Sequence, residues 1–192
     1  MAGLDCRPLT PDRWDDLLAL FGPERGACGG CWCMWFRLRR GDFLAAGRAG
    51  RKAAFTALVQ GPRPPGLLGY LDGEPVGWVA AAPREEHAVI LHSRVTRPVD
   101  DRPAWAITCF YLRPKVRHRG LMRPLIDAAV AFAQEQGAEL VEAYPSEPQS
   151  TERTTGFIGI AKVFREAGFQ EIARRTPKRP IMRLTLAPPD TI

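Results

Sequence analysis

The residues with the clearest chemistry lie between Ala106 and Gln136, where Lys115, Arg117, His118, Arg119 and Gly120 form a short basic stretch and Arg123 follows. Before it, Ile107, Cys109 and Tyr111 alternate with Thr108, Phe110 and Leu112, the period of a buried strand, and Arg113-Pro114 ends the run. After it, Leu121, Leu125, Ala128, Ala129 and Phe132 recur at helical spacing, with Gly137 placed as a C-terminal cap. A strand that feeds a basic turn at a helix N-terminus suits phosphate. The free N–H groups of the first turn point outward, the helix dipole favours an anion, and the arginines add charge. Pro124 falls about four positions into this helix, and its missing N–H predicts an irregular first turn or a later start. A solvated basic turn before an ordinary core helix would use the same residues.

Two other groups could carry chemistry. Cys28, Cys31 and Cys33 stand within a segment that also holds Trp32, Met34, Trp35 and Phe36. Three thiols could become zinc ligands with a fourth from Cys6 or a histidine, yet there is no second paired knuckle, and the only histidines are His87, His92 and His118. The preferred reading is no metal, with the cysteines as small packing residues and the aromatics lining an apolar cleft. Further on, Leu140, Glu142 and Tyr144 alternate with Val141 and Ala143, so a strand there sends an acid and a phenol to one face.

The rest of the chain must position these groups. Its 192 residues, 45% hydrophobic and 25% charged, are those of one globular domain spanning 1–192, with no stretch apolar enough to span a membrane. The N-terminus lacks a basic start followed by an apolar core, and the odd cysteine count suits reduced thiols, so a cytoplasmic protein is expected. The net charge of +6 comes mostly from scattered arginines, which argues against a nucleic-acid footprint. In order, the patterns predict a strand at 3–8, a helix from Thr10-Pro11 to Phe21 and a helix at 48–60. A hairpin around Asp72-Gly73-Glu74 follows, then a long irregular excursion at 84–103 and the central strand and helix. The chain closes with a strand at 140–144, a helix at 156–167 and strands at 169–173 and 181–186.

That order resembles the GNAT superfamily of N-acetyltransferases. Arg117-x-x-Gly120-x-Met122 is similar to its Q/R-x-x-G-x-G/A signature, with Met122 where a small residue is usual. Phe164-Arg165-Glu166-Ala167-Gly168-Phe169 resembles the end of the family's last helix, and the Cys-Trp-Cys-Met segment looks like an uncharacterised GNAT subgroup. The resemblance implies an α/β fold: a mixed, twisted sheet of about six to seven strands flanked by about four helices. It also implies acetyl-CoA as co-substrate and direct transfer of its acetyl group to an amine on a small molecule or peptide. Many members form dimers, so a homodimer is compatible with it.

Carried over to this sequence, the resemblance gives each residue an expected role. Backbone groups of Phe110, Tyr111 and Leu112 would meet the pantetheine arm and polarise the thioester. Arg117, His118, Arg119, Gly120, Leu121, Met122 and Arg123 would hold the pyrophosphate. Trp32, Met34, Trp35 and Phe36 would shape the acceptor pocket. Glu142 is the expected base, with Glu85 and Glu86 in reserve. Phe164 occupies the cofactor-side position where many members have a tyrosine that protonates the thiolate, so Tyr144, Tyr111 or a water would replace it. Cys109 could in principle take an acyl group, but a packing thiol is preferred. Two alternatives stay open: a GNAT-fold protein that binds acetyl-CoA or CoA without transferring it, and, ranked last, a zinc-containing nucleic-acid binder.

Overall fold

Strand-forming runs dominate the stretch from Gly66 to Leu112, and in the computed structural model they form the middle of one sheet; residues 3–23, 26–27, 29–148 and 156–187 are described. The elements are β1 (Asp5–Pro8), α1 (Trp14–Phe21), α2 (Arg40–Ala45), α3 (Gly47–Val59), β2 (Gly66–Leu71), β3 (Glu74–Pro83), α4 (Ala88–His92) and β4 (Trp105–Leu112). After them come α5 (Met122–Glu135), β5 (Leu140–Ala143), α6 (Ala161–Glu166), β6 (Gln170–Thr176) and β7 (Arg179–Thr185). The seven strands lie in the order β1-β2-β3-β4-β5-β7-β6, and only β4 and β5 are parallel. The expected mixed sheet with flanking helices is therefore the observed one.

Local sequence explains much of this. Asp72 and Gly73 both adopt positive φ, +50° and +82°, the geometry a two-residue hairpin needs and the reason Asp-Gly connects β2 to β3. Helix α5 starts at Met122, so Pro124 is its third residue, where a missing N–H breaks no helical bond. That settles the expected irregularity as a later start. Leu125, Ile126, Ala129, Phe132 and Ala133 of α5 pack on one face of the sheet, with α6 beside them. The other face carries α1, α3 and the cysteine segment, including Leu17, Trp32, Phe55 and Trp78.

Three expectations need correction. The central strand does not alternate strictly: Ala80 faces Cys109 while Ala81 faces Ile107, so Thr108 is an extra residue. As a result Ile107 and Phe110 share the α5 side, whereas Cys109 lies on the other. The helix expected at 156–167 is shorter, because Gly156 and Gly159 hold positive φ and close a turn before α6. Stretch 84–103 is not wholly irregular, since it contains a 3-10 turn at Arg84–Glu86 and the short helix α4.

His87 anchors that stretch beneath the sheet. Its Nδ1–H donates to the Pro83 carbonyl at 3.1 Å, which leaves Nε2 to accept from the Thr108 hydroxyl at 3.4 Å. Burial, reinforced by the nearby Arg37 cation, pushes its pKa from 6.5 down to about 3. The unfolded chain therefore binds a proton that the folded chain refuses. Stability should be full above pH 6.5 and fall as pH drops toward 3, by about 1.4 kcal/mol per unit at the steepest. Urea unfolding at pH 7 and pH 5 checks this. The loss of midpoint between the two should shrink in His87→Gln.

Candidate functional site

Where β4 and β5 run side by side they pair only from Trp105 to Ile107 against Val141 to Ala143. Beyond that point they separate, and the C-terminal half of β4 has an edge that no strand among the described residues covers. Ligands of open α/β sheets bind at such divergences, outside the carboxyl ends of the strands. Here the gap is a cleft of about 360 Å³, walled by Phe110, Tyr111 and Leu112 of β4. Arg117, His118, Gly120, Leu121 and Met122 form its mouth, with Phe157, Ile160 and Val163 across from them. A larger hollow of about 730 Å³ lies at the other end of β4, by Trp105 and Leu140, away from the basic turn.

The turn is shaped for close approach. His118 and Gly120 both adopt left-handed φ, +61° and +76°, just before α5 begins, and turns of this kind can gather backbone N–H groups around an anion. A side chain at Gly120 would meet nothing within 4 Å, so the space there is open rather than filled by the protein. Met122, although larger than the residue usual in the motif, lines the cleft instead of closing it. Arg123 does not face the cleft. Its Nε bonds both oxygens of Asp127 at 2.8 and 2.9 Å and its Nη1 bonds the Glu166 carbonyl at 2.6 Å, so it ties α5 to the end of α6. Arg119 is exposed and does not line the cleft either.

Two backbone groups of β4 that face this gap are partnered within the chain. Phe110 N–H donates to the Phe157 carbonyl at 2.6 Å, and the Leu112 carbonyl accepts from Arg117 Nε at 3.0 Å. By strand alternation the Leu112 N–H points the same way as that of Phe110. Phe164 is fully buried beneath, edge-on to Phe110 and Phe169, so it supports the cleft wall and does not reach the cleft. Phe157 and Ile160 escaped the sequence reading because they were assigned to a core helix. The paired glycines at 156 and 159 were the available signal for a turn.

The expected acid–base pair is placed differently. Glu142 is completely buried, its oxygens held by Arg84 Nη1 at 3.1 and 3.2 Å and by Arg183 Nε and Nη2 at 3.1 and 2.5 Å. Tyr144 donates its hydroxyl to the same carboxylate at 2.5 Å. A carboxylate so saturated has no lone pair left for a substrate proton, and neither residue lines the cleft. Burial first, and the Glu142 charge second, push the Tyr144 pKa well above its ordinary value. Glu142 and Tyr144 are therefore structural here. Of the reserves, Glu85 lines the distant hollow, and Glu86 is bound between Arg37 and Arg63.

The aromatic segment is divided between core and surface. Trp32 is buried, stacked on Trp14 at 6.2 Å between centroids, and Phe36 is buried in a small cluster with Tyr144 and Ile158. Trp35 is exposed and edge-on to Phe43, and Met34 lines a separate cleft beside α3. Of the four residues expected to shape an acceptor pocket, Met34 lines one of the three clefts described above, while Trp32 and Phe36 are core residues. Cys31 donates to the Ala27 carbonyl, and Cys33 Sγ accepts from Trp78 Nε1 at 2.9 Å and lies 3.8 Å from Cys109 Sγ. Burial pushes the Cys33 thiol well up, and Cys31 and Cys109 are buried beside it in the same core cluster, so these are packing thiols. Among the described residues no group of three or more His, Cys, Asp or Glu side chains could hold a metal, and Cys28 lies outside those residues.

A sequence profile of the acetyltransferase (GNAT) family matches residues 32–153, which contain the cleft's strand and turn. The chain belongs to the GNAT family. No curated protein matches it. Among solved structures, an N-acetyltransferase from Staphylococcus aureus Mu50 superposes with a TM-score of 0.54 at 11% identity, covering 97% of this chain and 100% of its own. The PaiA N-acetyltransferase of Thermoplasma acidophilum, solved with coenzyme A, gives 0.53 at 13%, covering 96% and 99%. A Drosophila melanogaster polyamine N-acetyltransferase gives 0.54 at 15%, covering 95% and 100%. At these identities the neighbours show the GNAT fold alone. Acetyl-CoA is the GNAT co-substrate, and the uncovered β4 edge beside an open, left-handed basic turn suits a long ligand ending in phosphates. Among the described residues no helix is long and apolar enough to cross a membrane.

Replacing Glu142 tests its structural role. Glu142→Gln leaves buried Arg84 without a counter-charge and Arg183 with Asp100 alone, and should lower stability by about 3 kcal/mol, within the range for breaking a buried ion pair. Denaturant unfolding measures that loss. Titration with CoA under native conditions should give an unchanged affinity.

Proposed function

We propose that the protein transfers the acetyl group of acetyl-CoA directly to an amine within a ternary complex. The observation that carries this reading is the divergence of β4 and β5 beside the left-handed turn at His118 and Gly120. The N–H groups of Gly120, Leu121 and Met122, at the start of α5, would hold the pyrophosphate, with Arg117 and His118 adding charge or hydrogen bonds. Pantetheine would lie along the uncovered edge of β4 and pair with Leu112. For Phe110 N–H to polarise the thioester carbonyl, the Phe157 carbonyl must give up its place. That exchange swaps one hydrogen bond for another, at a net cost of about 1 kcal/mol or less.

With Glu142 saturated, we assign no protein carboxylate to the proton of the attacking amine; water at the cleft mouth takes it. Tyr111 is the phenol that lines the cleft, and no described residue bonds its hydroxyl. Its ring is held edge-on by Phe21 at 5.5 Å. Tyr111 therefore takes over the proton-donor role toward the leaving thiolate, which Phe164 has no hydroxyl to perform.

Two measurements test this reading. Calorimetric titration with acetyl-CoA and CoA should show saturable binding that Gly120→Trp weakens at least tenfold, because the indole would fill the open space at the turn. Gly120→Ala separates blockage from backbone strain: it should cost about 1 kcal/mol of stability and leave most of the affinity. In an assay of CoA release over a panel of primary amines, Tyr111→Phe should lower kcat by roughly tenfold to a hundredfold with unchanged acetyl-CoA affinity. Loss of less than twofold would return the proton to solvent. Tight CoA binding with no turnover on any amine would favour the non-catalytic alternative.

A further inference from the structure

A second cleft, of about 450 Å³, lies between the cysteine segment, the end of α3 and the 3-10 turn that follows β3. Met34, Leu58 and Pro62 give it an apolar wall, and Arg37, Arg63 and Glu86 give it charge. Glu86 is shared: Oε2 accepts from Arg37 Nη1 at 2.6 Å and Oε1 from Arg63 Nη1 at 2.9 Å. Among the residues that line it two cations thus stand over one anion; the adjoining His87 is buried and held neutral, and Glu85 faces the other hollow. The cleft keeps one uncompensated positive charge.

Arg37 is the unusual member. Its side chain is only 5% exposed, yet its Nη2 is buried without any hydrogen-bond partner. A guanidinium held in place by Glu86 on one nitrogen, with the other nitrogen desolvated and unpaired beside a hollow, is half of a bidentate anion site. Arg63, half exposed across the same carboxylate, is positioned to add a second charged donor.

We propose that this cleft binds a small carboxylate that carries a short aliphatic portion. The carboxylate would take the free Nη2 of Arg37 and a donor of Arg63, neutralising the residual charge. The aliphatic portion would lie on Met34, Leu58 and Pro62. The site is separate from the cofactor cleft and does not depend on the transfer reading.

The probe is isovalerate, with isovaleramide as its neutral isostere, titrated calorimetrically into the full chain without acetyl-CoA. Saturable isovalerate binding is expected, at least tenfold tighter than isovaleramide, weakened at least fivefold by Arg63→Gln and unaffected by saturating CoA. Arg37→Gln should abolish it. Should that variant fail to fold, as circular dichroism would reveal, Arg63→Gln decides the matter. Absence of saturable binding, equal binding of the amide, or competition by CoA, which would place the anion in the basic turn, each overturns the proposal.

Discussion

The buried carboxylate of Glu142 is the contact on which the arrangement of the sheet and of the β3–β4 connection depends. It receives Arg84 from the start of stretch 84–103 and Arg183 from β7, and Arg183 in turn binds Asp100 through both Nη1 and Nη2, at 2.7 and 3.0 Å. Arg84 Nη2 also reaches the Arg102 carbonyl at 2.6 Å. Two cations and two anions therefore balance, and both ends of the connection are pinned to β5 and β7. A buried group of this kind adds less to net stability than its short distances suggest, because each charge first had to lose its water. Its value is in uniqueness. Any other path for this segment would leave an ion unpaired in the core.

The same arrangement separates structure from chemistry on β5. Alternation places Val141 and Ala143 against α5 and turns Glu142 and Tyr144 to the other face. Chemistry could have used an acid and a phenol there, but Arg84, Arg183 and the Tyr144 hydroxyl itself occupy the lone pairs the carboxylate offers. The open cleft lies instead along β4. The extra residue at Thr108 shifts the strand's side chains relative to β3, and pairing with β5 ends at Ile107, immediately before it. Bulges bend the strand that carries them, so the bulge and the divergence are two views of one distortion. Turn 156–159 borders the resulting gap. Its Gly159 is required by packing as well as by φ, since a Cβ there would lie 2.5 Å from the Phe164 ring.

Position in sequence also explains how thiols and aromatics were sorted. Trp32 and Cys33 both take left-handed backbone, φ +46° and +54°, an expensive conformation for such residues. Burying the indole against Trp14 and Phe21, and seating the thiol beneath Trp78, offsets that strain. The segment thus turns sharply, sending Trp32 inward, leaving Trp35 at the surface and bringing Arg37 to Glu86.

What the sequence determined by itself was local. Period-two runs gave the strands, Asp72-Gly73 the hairpin turn and Gly137 the end of α5. The order of elements, with Arg117-x-x-Gly120, gave the fold and the basic turn before α5. Each depends on residues within a few positions of one another, where backbone sterics and side-chain period act directly. Only the tertiary structure decided that Glu142 is an ion-pair centre, because its partners Arg84 and Arg183 lie 58 and 41 positions away. It likewise decided that Phe164 supports the cleft wall, that Thr108 is the bulged residue and that Phe157 meets Phe110. A carboxylate, an arginine or an aromatic has the same local pattern whether it faces substrate or core. Its role is set by what the fold brings against it, and by whether that neighbour leaves it a free lone pair, proton or face.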